Sequence, residues 1–283
     1  MVTLESSNFY TGHAIKSFFK NTLLDSSDEF FLINNDKCKI DEYLFYDKIK
    51  IIDNQQPKSF AQNVNQIIKL AIQKKKDLIF LNNDILFVEG WLTPLLENKE
   101  NISIPVNNQL FSYNSDCGTL KLKPTMNFED YNENYKLLVE IIKKHKKKFK
   151  PGQLFQTLLM PFFCFKIPLK ILSELGYFDE IFVCGGEDID YRIRAALKGY
   201  EVNFLIDSYL LHFHGKSTWD GKETLEETES RNKIYTEAFL KKWGNELTRI
   251  FILKNDFENI LLKKDLYELF KKNKFGDLIR KLK

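Results

Sequence analysis

Cysteine is scarce. There are four in 283 residues, at Cys38, Cys117, Cys164 and Cys184, and no two form a C-x-x-C pair. That spacing argues against a thiolate zinc site; reduced, buried thiols in an intracellular protein fit it better than a disulfide framework. A secretory leader is missing too, since Met1 to Phe9 holds neither a basic n-region nor an apolar h-region. No apolar run is long enough to span a bilayer. The longest, Leu154 to Leu172, is broken by Gln156, Pro161, Lys166, Pro168 and Lys170, and reads as a buried strand with flanking turns. An excess of one charge is also lacking: the net is +3, which gives no reason to invoke nucleic acid, and the lysine clusters accompany no nucleic-acid motif. Gly215-Lys216-Ser217-Thr218 looks like the end of a phosphate loop, but the position where the upstream glycine belongs is Leu210, so it is no P-loop. No internal repeat is present.

What remains is a chain with 43% hydrophobic and 14% aromatic residues, enough for one large core and an appendage. Apolar runs at Glu29 to Asn34, Ile49 to Asp53 and Asp77 to Leu81 predict strands. Between the last two, Ser59 caps a helix carrying Phe60, Val64, Ile67, Ile68, Ala71 and Ile72 at helical spacing. This alternation predicts an α/β fold with an open, mostly parallel sheet flanked by helices, in which ligands bind beyond the carboxyl ends of the strands. Asn34-Asn35-Asp36 and Asn82-Asn83-Asp84 occupy such ends. Residues 98–150 read as polar loops, with a lysine run at 143–148 that most simply forms a solvated helix face. Further strands are expected at Thr157 to Lys166, Glu201 to Ile206 and Tyr209 to Phe213, with a short helix at Pro168 to Leu175. After about Thr218 glycine nearly vanishes, and Glu, Lys and Leu predict a helical appendage. We divide the chain at 220: an α/β domain over 1–220, with one half to about 97 and a second after it, then a helical extension over 221–283.

Chemistry concentrates at Gly185-Gly186-Glu187-Asp188-Ile189-Asp190, where three carboxylates fall within four residues directly after a glycine pair. Glycines let backbone turn tightly and another molecule approach. Ile189, Ile193, Ala196 and Leu197 continue as one face of a helix, which places Glu187 and Asp188 at its positive N-terminal end. A helix cap is the plain alternative. Asn82-Asn83-Asp84 offers a carboxylate that could hold a divalent cation and through it a diphosphate, or simply an Asx turn. His212 and His214 alternate, so that in a strand both imidazoles share one side and could bind metal. From Phe251 onward nine Lys and Arg stand against five Asp and Glu. An amphipathic basic helix of this kind packs on the catalytic domain, or contacts a second subunit or an anionic membrane surface.

In this order the motifs resemble family 2 glycosyltransferases of the GT-A fold, the nucleotide-diphospho-sugar transferase fold, and in particular the rhamnosyltransferase-like branch. The resemblance covers roughly residues 1–245. It rests on Gly176-Tyr177-Phe178-Asp179-Glu180, then Gly185-Gly186-Glu187-Asp188-Ile189-Asp190, then Arg194 and Gly199-Tyr200. Leu81-Asn82-Asn83-Asp84 with Gly90-Trp91-Leu92, the Asn63-x-Asn65 helix and Lys242-Trp243-Gly244 add to it. It implies an inverting transfer from a nucleotide-sugar to a hydroxyl of a glycan or other acceptor, with Mn2+ or Mg2+. Asp188 is then the catalytic base, and Glu187 holds the acceptor or orients the site. Asp84 binds the metal, with His212 or His214 completing its sphere. The pocket for the nucleotide-sugar draws on Ser6, Asn34, Asn35, Asn63, Asn82, Asn83, Gly185, Gly186 and Lys216. The family carries Asp where this chain has Asn82 and Asn34, and those departures support the competing expectation of an inactive nucleotide-sugar or glycan-binding module. No nucleic-acid partner is expected. The expected location is cytoplasmic, with peripheral membrane contact or a homodimer through the C-terminal helices as alternatives to packing.

Overall fold

The computed structural model describes residues 1–40, 46–108, 128, 130–158, 160–183, 185–213, 215, 224–253 and 263–283. Three parallel strands, β1 (Val2–Thr3), β2 (Phe30–Asn34) and β3 (Ile49–Asp53), form one sheet. Helix α1 (Asn8–Asn21) connects β1 to β2, and α2 (Phe60–Lys74) follows β3. Ser59 caps α2 as the sequence implies: its hydroxyl accepts from Gln62 N while the Gln62 side chain accepts from Ser59 N.

The second sheet contains β4 (Leu78–Leu81), β5 (Ile85–Phe87), β6 (Ile102–Asn107), β7 (Leu154–Gln156), β8 (Cys164–Ile167) and β9 (Val202–His212). Its order is β4-β8-β6-β9-β5, with β7 beside the first half of β9. The α/β layering agrees with expectation, but strand direction in this half does not, because only β6 and β9 run parallel.

Two boundaries also differ. Thr157 to Lys166 is not one strand: β7 and β8 pair with different neighbours, and a turn through Pro161, which has no N–H to offer a ladder, separates them. Conversely, Glu201 to Ile206 and Tyr209 to Phe213 merge into the single strand β9. The β6–β9 register jumps from Leu205 to Tyr209 between Pro105 and Val106. The skipped residues are held from outside the ladder, where Ser208 donates to the Trp91 carbonyl and Lys146 to that of Asp207. After α3 (Thr93–Glu97), the described residues within 98–150 hold more regular structure than their polarity implies, namely β6, α4 (Asp130–Glu133) and α5 (Tyr135–Lys146).

Helix α6 (Leu169–Leu175) leads to α7 (Glu187–Leu197), and two separate cores enclose α7. Tyr191 and Ala195 join the large core under the second sheet. Ile193 and Ala196 join a smaller one built by α8 (Leu225–Trp243), α9 (Asn245–Thr248), a π-helical turn at Arg249–Leu253, α10 (Lys264–Lys271) and α11 (Phe275–Leu282). The apolar residues Leu266, Phe270, Phe275, Leu278 and Ile279 of α10 and α11 are buried there. Gly276 sits so close to α7 that a Cβ on it would overlap the Ala196 carbonyl oxygen. These apolar residues of α10 and α11 thus pack within the chain. Among the described residues no helix is long and apolar enough to cross a membrane.

Candidate active site

The acidic helix start is built by its glycines. Gly185 and Gly186 have φ of +139° and +89°, conformations that strain any residue with a Cβ. A Cβ at Gly186 would be tight, 3.3 Å from Phe182, whereas one at Gly185 would make ordinary contact with the Tyr235 ring at 3.4 Å. The chain therefore enters α7 with Glu187 buried and Asp188 half-buried. Asp188 Oδ1 accepts from Ile189 N at 2.7 Å. Burial, and then the neighbouring Asp188 charge, push the Glu187 carboxyl up to about 8, while backbone N–H groups at Glu187 and Gly185 oppose the rise. Glu187 Oε2 has no hydrogen-bond partner among the described residues. A neutral Glu187 can donate a hydrogen bond, which an ionised one cannot.

Asp190, the third acid, has a structural role. It is fully buried, accepts from Arg194 Nε and Trp243 Nε1 at 2.9 Å each, and lies 2.6 Å from Lys242 Nζ. Lys242 also pairs with Asp179 at 2.5 Å. Arg194 reaches the Leu175 and Tyr177 carbonyls, and Asn65 clasps Phe178 through both its N–H and its C=O. Lys242-Trp243, a motif to which the sequence assigned no role, thereby locks α8 to α7 and to the turn before the acidic pair. Arg192 pins the opposite side of α7, donating twice to the Thr157 carbonyl.

The strand-end site forms where β4 stops. Asn82 donates to the Phe162 carbonyl, and Asn83 to Ser7 Oγ and Thr11 Oγ1. These bonds fix the tripeptide between β8 and α1. Asp84 follows, 1% exposed, with Oδ1 3.5 Å from His212 Nε2. The pairing of Ile85 with His212 in the β5–β9 ladder brings these two together. His212 is buried and stacks on Phe163, ring centroids 5.0 Å apart. His214 and Lys216 lie outside the described residues. Among the described residues no group of three or more His, Cys, Asp or Glu gathers into a site that could hold a metal alone. Asp84 offers the oxygen ligand that a hard divalent cation prefers, and His212 an imidazole that suits Mn2+ less well than Zn2+ but is usable.

Beside β1, the asparagines form a lattice. Asn34 donates to Asp53 Oδ1 and the Cys38 carbonyl, and its own oxygen accepts from Cys38 N. Asn35 and Asn63 are joined directly and through Asn54, and both donate to the Lys58 carbonyl. Asn35 and Asn63 are thus committed to shaping the turn. The groups they leave at its surface are Asp53, which is exposed, and Asp36, whose Oδ2 accepts from Glu5 N at 2.9 Å. Ser6 is exposed in the turn Glu5–Ser7 just beyond β1. Asp53 could have been found from its place at a strand end. Tyr235 carries no such local signal, because its role arises from a contact 50 residues away in sequence with Gly185.

No protein-family model and no curated protein matches this sequence. Solved structures do match it in fold. One is GalNAc-T7 with UDP, GalNAc and Mn2+, at 16% identity over 83% of this chain and 46% of that one, with a TM-score of 0.56. Another is residues 1–349 of S. aureus TarS with UDP-GlcNAc, at 13% identity over 100% of this chain and 80% of that one, TM-score 0.51. The same protein with UDP gives 14% identity, 97% and 79% coverage, and a TM-score of 0.52. This chain spans less than half the length of the GalNAc-T7 chain. Its fold is the GT-A fold of glycosyltransferases that use nucleotide-sugars.

Proposed function

We propose that this protein is an inverting glycosyltransferase that moves a sugar from a nucleotide diphosphate to a hydroxyl of a glycan or similar acceptor. The observation that carries the proposal is the carboxylate pair at the start of α7, with Asp188 half-buried beside a Glu187 whose affinity for a proton is raised. A single displacement needs a base on the face of the sugar opposite the leaving diphosphate. Asp188 is the group to take the acceptor's proton. Glu187, protonated up to about pH 8, donates a hydrogen bond to the same acceptor and avoids a second buried negative charge. The helix N-terminus favours the Asp188 carboxylate, and the Gly185-Gly186 turn leaves room for a substrate against the backbone.

The donor belongs at the strand ends. Asp84 and His212 would hold Mn2+ or Mg2+, which when bound neutralises charge on the diphosphate. Ser6, Asn34 and the carboxylates of Asp36 and Asp53 border the place for the nucleoside, while Asn82 and Asn83 fix the loop that carries Asp84. A uridine nucleotide is the first donor to test, because structures of similar fold contain UDP or UDP-GlcNAc.

Thermal shift with UDP-, GDP-, dTDP- and CMP-sugars, with and without Mn2+, tests this reading. One nucleotide class should stabilise the protein only with metal, by about 2.7 kcal/mol when ligand reaches a hundred times its Kd. Asp84→Ala should abolish that gain. Stabilisation without turnover would turn the reading toward a binding module, and no stabilisation by any donor would refute it.

A further inference from the structure

The acidic pair is not bordered by the catalytic domain alone. Tyr235, two turns before the Lys242-Trp243 lock on α8, lays its ring against Gly185, with Cδ1, Cε1 and Cγ 3.4 to 3.7 Å from where a Cβ would stand. It is half-buried, so part of the ring stays open to solvent. Its hydroxyl senses the site electrostatically. Burial raises its pKa most, the Arg231 guanidinium one turn earlier opposes the rise, and the Asp188 carboxylate adds to it. The Lys242–Asp190 and Trp243–Asp190 contacts fix α8 against α7, so this wall is rigid.

We propose that Tyr235 is the stacking platform of an acceptor subsite that binds a pyranose ring. This inference rests on the transferase reading for the word acceptor. The argument is one of chemistry. A sugar ring presents C–H groups on its faces and hydroxyls around its edge. A site that binds it needs an aromatic face beside hydrogen-bonding carboxylates, and a tyrosine combines an apolar body with a polar tip. Tyr235, Glu187 and Asp188 supply these together, at the one place where the proposed base must meet a hydroxyl. Gly185 lies at contact distance from the ring, and its φ of +139° keeps the position to a residue without a side chain, so the backbone there stays open beside the platform. A GT-A domain cut before α8 would hold the acids and lack the platform.

Saturation-transfer NMR of the full chain with a panel of methyl pyranosides tests the subsite without any donor. The wild type should transfer magnetisation to ring C–H protons of at least one pyranoside. Tyr235→Phe, which keeps the ring, should retain the effect; Tyr235→Leu, which keeps apolar bulk against Gly185, should weaken binding about tenfold. Equal binding by Tyr235→Leu and wild type overturns the proposal, as does a wild type that binds no pyranoside. Thermal shift of the wild type with UDP-GlcNAc reads the donor side separately. Its failure, together with failure of the GDP-, dTDP- and CMP-sugars, would sink the transferase reading while leaving the pyranoside result to judge the platform.

Discussion

Replacing Glu187 with glutamine should change how stability depends on pH, with a sign that follows from its burial. In the folded protein the carboxyl is raised from 4.5 to about 8. Below about pH 4.5 both folded and unfolded chains hold the proton, and the group makes no difference. As pH rises toward 8, the unfolded chain ionises freely while the folded chain keeps its proton, so the wild type loses stability. At about 1.4 kcal/mol per unit, this rise gives a loss of at most about 5 kcal/mol. The cost is shared with the adjacent Asp188 charge, so about 2–4 kcal/mol is expected. Glu187→Gln is a neutral mimic of the protonated acid and has no such slope. Urea denaturation at about pH 5 and about pH 9 should therefore show similar stability at the acid end and a more stable variant at the alkaline end. Parallel pH curves would refute the burial argument, and a variant less stable at alkaline pH would reverse it.

Other substitutions probe the rest of the site. Asp188→Asn should lower kcat by about 10²–10⁴-fold while leaving donor affinity, read by thermal shift, nearly unchanged; retained activity would remove Asp188 as the base. Lys242→Ala leaves Asp190 with Arg194 and Trp243 only, and should cost about 2–4 kcal/mol in urea denaturation. Gly276→Ala forces α11 away from the Ala196 carbonyl and should cost about 1–3 kcal/mol; a neutral effect there would mean that the two helices are not in backbone contact.

Local pattern made part of this molecule legible. The strands at 30–34, 49–53 and 78–81, the Ser59 cap and the helix from Glu187 all express their own spacing or chemistry. The face of Ile189, Ile193 and Ala196 was readable too, though not its partner, which comes from residues 239–279. Strand β9 was misjudged because Asp207 and Ser208 look like a turn, whereas distant carbonyl and lysine contacts hold them as a register jump. Strand β6 hid behind Pro105 and a polar neighbourhood. Asn35 and Asn63 illustrate a different limit. Their residue type suits ligand binding and turn building equally, and their mutual bonds, which build the turn, join residues too far apart in sequence to be foreseen. Asp84 and His212 were separately visible, but their approach depends on the ladder between β5 and β9.

The double enclosure of α7 has a consequence for how the protein can be made and divided. The acidic pair and the strand-end residues are synthesised before Leu225, and the helices that close the second side of α7 follow them. A nascent chain therefore displays these carboxylates while its central helix still has one apolar face in water. Shortening the protein before Leu225 would preserve that unfinished intermediate, and a fragment that folds has to keep the helices through Leu282.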